Sequence, residues 1–199
     1  MRARAERALA VAAAAACLAA APGAGGVQAI RSALDEAQAA QASGAARPER
    51  LAAVREAARR VVDTRTMGRA AIGSPILDAQ PPAAQEEYLR HFDVLIMRSW
   101  MQKLLLFKNP RFEFAALQTR DGASWVETRI VTEHDTYRID YAVEQREGRW
   151  WATDIVVEDL SLVESYRSQI ASLLETRSFG ELLALMRRKT ERLRARDAR

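Results

Sequence analysis

The fold is decided by residues 150–188, which read WWATDIVVEDLSLVESYRSQIASLLETRSFGELLALMRR. Residues 151–157 are mostly apolar and predict a strand. An acidic pair and a Leu-Ser-Leu-Val link follow, and an amphipathic helix begins near Tyr166. Because a second apolar pattern with helical spacing starts after a break near Gly180, the stretch predicts a strand that leads into two helices.

Before this stretch the apolar residues alternate with polar ones. We predict four strands, at residues 111–117, 124–132, 136–145 and 149–157, separated by short turns. In the third strand Ile139, Tyr141 and Val143 share one face, so one side of the sheet is predicted to be buried. Because helices precede and follow an antiparallel meander, the predicted fold class is α+β.

Helical spacing precedes the predicted sheet. Residues 27–41 predict a first helix, Pro48 starts a second, and a long helix is predicted at residues 83–107. The long helix has an apolar stripe that includes Phe92 and is wider than contact with one neighbour requires. The chain is therefore predicted to be mostly helical. The sequence leaves open whether its apolar faces pack together or line a cavity.

The first residues have the pattern of a secretory signal peptide. Arginines near the N-terminus precede an apolar run at 8–21, which is too short to remain as a membrane anchor and ends in small residues. We predict that residues 1–26 are a removed signal peptide and that 27–199 form one domain. The single cysteine, Cys17, lies in the apolar run, so the mature chain is predicted to form no disulfide. Lipidation at Cys17 is the alternative.

Composition argues against several classes of function. The formal net charge is +4, but no aromatic or Gly-rich binding module accompanies it, so no nucleic-acid partner is predicted. The two histidines, His91 and His134, fall on different predicted elements, which argues against a metal site. The chain has no Gly-x-Ser-x-Gly motif and no phosphate-binding glycine loop. We therefore predict no catalytic residues, no enzyme activity and no cofactor.

Charged residues near the end of the chain allow two interpretations. The basic residues from Arg187 onward fit the solvated end of a helix, where cations are favourable, or an attraction to anionic lipid headgroups. Ser161 and Glu164 have the spacing of a capping box. Asp140 alternates with the apolar face of its strand, which predicts a solvent environment.

The stretch that decides the fold resembles the C-terminal part of the MlaC family of periplasmic phospholipid carriers, also called toluene-tolerance proteins. The family's pattern is a Trp and an Asp followed by Ser-Leu-Val and Tyr-Arg-x-Gln, and Ile170 stands where the family usually has Phe. The matching residues are Trp150, Asp154, Ser161, Leu162, Val163, Tyr166, Arg167 and Gln169. A second pattern of the family is matched at Asp63, Met67, Ala71, Ile72 and Gly73.

This resemblance implies a curved four-stranded sheet with N- and C-terminal helices closing over it, like the cone of nuclear-transport-factor-like (NTF2-like) proteins. It implies an interior pocket for lipid acyl chains, with the headgroup outside and no other ligand or cofactor. We also expect a structural ion pair of Arg167 with Asp154 or Asp159, and a contact of Arg167 with the headgroup is the alternative. The residues expected to line the pocket are Phe92, Leu95, Ile96, Trp100, Val126, Ile130, Ile139, Tyr141, Val143, Ile155, Val157, Tyr166 and Ile170.

The resemblance further implies a monomeric periplasmic protein that exchanges phospholipid, or a related lipid, with two partners. These are an inner-membrane ABC transporter complex and an outer-membrane lipoprotein complex. Two other functions remain open on the sequence. One is a cone-shaped enzyme with one buried acid, for which Asp140 and Asp154 are the candidates. The other is an interaction module that packs its core fully and binds only protein.

Overall fold

The computed structural model describes residues 24–104 and 110–197, which contain seven helices and six strands. The predicted signal segment up to residue 23, with Cys17, and the predicted helix end at Phe107 lie outside the described residues. The helices are α1 (Ala24–Ala42), α2 (Arg47–Arg59), α3 (Thr64–Ile72), α4 (Ser74–Asp78), α5 (Pro82–Leu104), α6 (Leu162–Leu174) and α7 (Phe179–Asp197). The strands are β1 (Arg111–Phe114), β2 (Gln118–Arg120), β3 (Ala123–Val131), β4 (Thr136–Arg146), β5 (Arg149–Val157) and β6 (Leu160–Ser161).

The fold class is α+β, as predicted, with an antiparallel sheet. The strands follow the order β1-β3-β4-β5-β6, and β2 pairs with β3 beyond the end of β1. The sheet is open and does not close into a barrel. The likeness to an NTF2-like cone stays a prediction. One face carries the cross-strand neighbours Val126, Tyr141 and Ile155, which are at most 2% exposed. Burial of this face against the helices forms the core.

The predicted number of four strands is wrong. The predicted strand at 111–117 is two strands, because the chain leaves the ladder after Ala115 and returns at Gln118. Leu117 lies against α1 instead. A Cβ placed on Gly26 of α1 would stand 2.9 Å from Leu117 Cδ1. A further two-residue strand, β6, pairs with the end of β5.

Local sequence signals begin and end α3, which packs closely on α5. Asp63 caps its start, since its carboxylate accepts a hydrogen bond from the Thr66 backbone N–H at 3.0 Å. Gly73 ends it with a φ of 85°, a conformation that favours glycine. A Cβ at Gly68 would stand 3.0 Å from Phe92 Cδ1, so a larger residue would force the Phe92 side chain to shift for the two helices to keep this approach.

The first two helices are fastened to the sheet through β5. Ile30 and Leu34 of α1 lie one turn apart, and both are buried, as their spacing predicts. After α2 the chain runs beside β5, where the Ala152 N–H donates to the Val61 carbonyl and the Asp63 N–H donates to the Ala152 carbonyl at 2.9 Å. In residues 24–104 and 110–197, no helix has both the length and the apolar character needed to cross a membrane.

Candidate functional site

A largely apolar cavity of about 460 Å³ lies between α5, α6 and α7. Its volume is within the range of small-ligand sites. The lining residues from α6 recur every three to four positions, and so do those from α7. Each set therefore lies on one face of its helix. The lining residues are Phe92, Leu95, Tyr166, Gln169, Ile170, Leu173, Leu182, Leu185, Met186, Arg188, Lys189 and Arg192.

Aromatic rings from two helices meet at the wall of the cavity. Phe92 is fully buried, and the Tyr166 ring stands edge-on to it with centroids 5.2 Å apart. The Tyr166 hydroxyl is hydrogen-bonded to Ser99 Oγ at 2.9 Å, so its polar atom is satisfied away from the lining. Burial raises the pKa of Tyr166. The phenol is therefore neutral at neutral pH, and the ring contributes apolar surface.

The structure separates the residues predicted to line a pocket into two groups. Four of them, Phe92, Leu95, Tyr166 and Ile170, line this cavity. The others lie outside its lining: Val157 is half-buried against the core, and the buried core itself holds Ile96, Trp100, Val126, Ile130, Ile139, Tyr141, Val143 and Ile155. Contact between this second group and lipid stays a prediction.

Two of the core residues carry polar atoms without a hydrogen bond. Trp100 Nε1 and the Tyr141 hydroxyl are buried and have no partner among the described residues. Thr128 donates its hydroxyl to the Ile139 carbonyl at 2.7 Å, and its nearness opposes the effect of burial on the pKa of Tyr141. Burial also raises the pKa of Tyr141, so its hydroxyl stays protonated. These unsatisfied groups, on α5 and β4, contrast with the hydroxyl of Tyr166, which is hydrogen-bonded.

The structure does not join Asp154 and Arg167 in the expected ion pair. Asp154 accepts from the Ile155 N–H at 2.7 Å, the Val163 N–H at 3.1 Å and the Ser161 hydroxyl at 2.5 Å. Its carboxylate is therefore used to fasten the end of β5 to the start of α6, where free N–H groups need acceptors. Ser161 itself accepts from the Glu164 N–H at 2.9 Å, which confirms its capping role.

Arg167 points to a different element. Its Nε and Nη2 atoms donate to the Ala70 carbonyl at 3.2 and 2.9 Å, and its Nη1 atom donates to Glu164 at 2.6 Å. Ala70 lies in the last turn of α3, where carbonyls lack partners within the helix. Arg167 thus links α6 to α3.

The prediction that Asp140 faces solvent is wrong. Asp140 lies on the sheet face opposite to Ile139 and Tyr141, but it is only 3% exposed. Arg138 donates to its carboxylate at 2.5 and 3.2 Å, and Arg120 lies 3.5 Å away. The alternation along β4 correctly predicted which face of the sheet carries Asp140. The long arginine side chains cover that face and keep solvent away. The carboxylate is engaged there, on the side away from the core.

A second contact surface of α7 holds it on α5. Thr190 is 1% exposed, and its hydroxyl lies 2.8 Å from His91 Nδ1. Arg187 donates to Glu87 at 2.5 and 2.9 Å, and the same carboxylate lies 3.5 Å from His91 Nε2. Burial lowers the pKa of His91, although Glu87 opposes this change. These polar contacts fix one face of α7 while its other face lines the cavity.

Sequence reasoning did not assign most of the α7 residues to a site. Leu182, Leu185, Met186 and Lys189 follow a spacing of three, four and seven residues, which is the signal for one helix face. The same spacing describes a core face, so the pattern alone could not place it at a cavity. Gln169 and Leu173 of α6 were missed for the same reason. Among the described residues, no group of three His, Cys, Asp or Glu side chains could hold a metal ion.

Comparison with known proteins agrees with this architecture. The family model for the MlaC protein matches residues 27–188. A phospholipid-binding protein from Ralstonia solanacearum, solved in complex with a phospholipid, superimposes with a TM-score of 0.72 at 19% identity, covering 88% of this chain and 100% of its own. This likeness shows a shared fold. A comparison with curated proteins gave no match. Because the family model spans well over half of the sequence, the chain belongs to the MlaC protein family.

Proposed function

We propose that this protein is a periplasmic lipid carrier that holds phospholipid acyl chains in the cavity between α5, α6 and α7. The observation that carries the proposal is this apolar cavity of about 460 Å³ with cationic residues at one end, which matches the two-part chemistry of a lipid. The family membership and the phospholipid complex of the structurally similar protein from Ralstonia solanacearum support it.

The free energy of burial explains how such a carrier would work. Each buried CH₂ contributes about 0.8 kcal/mol, so complete burial of a pair of chains with about 30 such groups would give on the order of 20 kcal/mol before costs. That is close to the practical ceiling for noncovalent affinity. Release into water would be very slow, and unloading requires another apolar site. We therefore propose that lipid passes directly between this protein and membrane complexes, an outer-membrane lipoprotein complex and an inner-membrane ABC transporter.

The chemistry of the cavity favours binding over catalysis. No carboxylate and no imidazole is among the described residues that line it. The two acids considered as catalytic groups, Asp140 and Asp154, are both engaged by hydrogen bonds elsewhere. A general acid or base must reach the reacting atoms of its substrate. The cavity therefore supports a carrier better than an enzyme.

Native mass spectrometry of the protein tests the proposal. The full chain would be exported to the periplasm, purified without detergent, weighed intact and extracted for lipid analysis. We expect one lipid per protein, and the protein mass identifies the mature N-terminus. A lipid-free mass that is unchanged after incubation with phospholipid vesicles would contradict the carrier and favour a module that binds only protein.

A matched pair of variants connects the lipid to this cavity. Leu185 and Leu193 are both half-buried leucines of α7, but only Leu185 is among the residues that line the cavity. Leu185→Trp fills part of the cavity and should lower lipid occupancy severalfold. Leu193→Trp adds the same bulk elsewhere and should retain the wild-type occupancy. Equal occupancy in both variants would place the lipid outside this cavity.

A further inference from the structure

The cavity is apolar at one end of α7 and cationic at the other. Leu182 and Met186 are buried in its lining, whereas Lys189 and Arg192 are exposed at its edge. Ten residues of helix separate the first of these from the last, a rise of about 15 Å. An amphiphile lying along this face would have its chains against the leucines and its polar end against the cations.

The cations at the edge are available to a ligand. Arg188, Lys189 and Arg192 make no ion pair with an acidic side chain of residues 24–104 and 110–197, and the described lining contains no carboxylate. Their neighbour Arg187 differs, because it is paired with Glu87 on the other side of the helix. The edge of the cavity therefore has three positive charges that no described carboxylate pairs, although Glu191 lies beside Arg192 on the same helix.

Another crevice of this protein shows the contrasting arrangement. It has a volume of about 520 Å³ and lies beside the link between α2 and α3. Arg59 there is paired with Asp93 at 2.7 Å, and Arg146 is paired with Asp63. Because carboxylates accompany its arginines, that crevice has less net attraction for an anion. The α7 edge combines unpaired cations with apolar surface.

We infer that Arg188, Lys189 and Arg192 form a headgroup subsite that selects anionic phospholipids over zwitterionic ones. This inference rests on the proposed function and concerns the same cavity. Guanidinium and ammonium groups donate charge-assisted hydrogen bonds to phosphate oxygens. A zwitterionic headgroup adds an ammonium group, which meets only positive charge in the described lining. A headgroup whose net charge is negative, such as phosphatidylglycerol, meets no such repulsion.

The test is competition between two lipid classes for the same protein. Lipid-free full-length mature protein is equilibrated with vesicles of equal parts phosphatidylglycerol and phosphatidylethanolamine, and bound lipids are counted by native mass spectrometry. We expect wild-type protein to enrich phosphatidylglycerol at least about fivefold, the factor that one Lys or Arg contributes near an anionic membrane surface. Arg188→Gln, Lys189→Gln and Arg192→Gln combined should abolish the enrichment.

A control triple variant removes the same net charge elsewhere. Arg177, Arg194 and Arg196 are exposed and lie outside the described lining of the cavity. Their combined replacement by Gln should keep the enrichment. Loss of enrichment in this control would overturn the subsite, since overall charge would then be the cause. A wild type that binds both lipids equally would also overturn it but leave the carrier function intact.

Two further outcomes separate this inference from the proposed function. If the wild type takes up no lipid at all, the carrier function fails and the subsite fails with it. Inorganic phosphate at matched ionic strength should not displace bound lipid, because acyl chains provide most of the affinity. A one-to-one phosphate adduct that excludes lipid would overturn the headgroup assignment in favour of a free-phosphate site.

Discussion

The two faces of α7 show how one helix can be both anchored and open. The face toward α5 is fixed by a buried hydrogen bond between Thr190 and His91 and by the ion pair of Arg187 with Glu87. The opposite face has apolar residues at a cavity and unpaired cations at its edge. Polar contacts therefore specify where the helix lies, while the open face is left for a ligand. We therefore expect that each face can be altered without changing the other.

The largest expected difference concerns two leucines on these faces. Leu183 is 7% exposed in the core and is not among the described cavity residues, whereas Leu185 is half-buried at the cavity. Leu183→Ala should lower the free energy of unfolding by about 2–5 kcal/mol, because a buried void is left behind. Leu185→Ala should cost less, because part of that side chain already faces open space. Urea unfolding of the lipid-free protein measures both values.

The same pair should give the reverse order for lipid. Leu185→Ala changes the cavity wall and should lower the lipid occupancy measured by native mass spectrometry. Folded Leu183→Ala should bind lipid like the wild type. Lipid-free protein is required for the unfolding measurement, since a ligand bound to the native state raises apparent stability. If Leu183→Ala loses lipid as strongly as Leu185→Ala, the two faces are coupled and the comparison fails.

Two tyrosines extend the comparison to the rest of the interior. Tyr166 donates or accepts a hydrogen bond with Ser99, whereas the buried Tyr141 hydroxyl has no partner among the described residues. Tyr166→Phe should cost about 0.5–1.5 kcal/mol of unfolding free energy. Tyr141→Phe should be neutral or stabilising, because it removes a buried polar atom that makes no hydrogen bond. Parallel urea titrations decide this, and a larger cost for Tyr141→Phe would reveal a partner for its hydroxyl.

Local patterns predicted the elements that depend on neighbouring residues. The spacing of Ile30 and Leu34, and the cap at Ser161, could be read from the chain because each involves residues a few positions apart. The alternation of β4 likewise identified its core face. These signals arise from the repeat of a helix or a strand, which the sequence carries directly.

What the sequence did not predict depends on contacts between distant segments. Strand β1 ends early, and Leu117 packs toward Gly26. Arg167 binds the Ala70 carbonyl, 97 positions away in the chain, in place of Asp154. Asp140 is buried by arginine side chains whose directions alternation does not specify. The cavity wall on α7 has the same spacing as a packed face, so only the three-dimensional arrangement of α5, α6 and α7 distinguishes them.

The smallest expected effect is a pH dependence of the unfolding free energy, which arises from His91 on the anchored face. His91 is buried against Thr190, with Glu87, Arg90 and Arg187 as the charged groups that influence it, and burial lowers its pKa from the usual 6.5. The unfolded chain therefore binds a proton first as the pH falls. The stability that neutral His91 contributes is complete above about pH 6.5 and is lost as the pH falls below that value.

Replacing His91 tests this effect against a matched residue. His91→Gln should flatten the decline in unfolding free energy between about pH 7 and 5, apart from the contribution of carboxylates at the lower end. His134 is exposed on a turn, and His134→Gln should retain the wild-type profile. Because Arg188, Lys189 and Arg192 lie on the other face of α7, lipid selection at pH 7 should be the same in both variants. A His91→Gln protein with altered lipid selection would mean that the anchor also positions the cations.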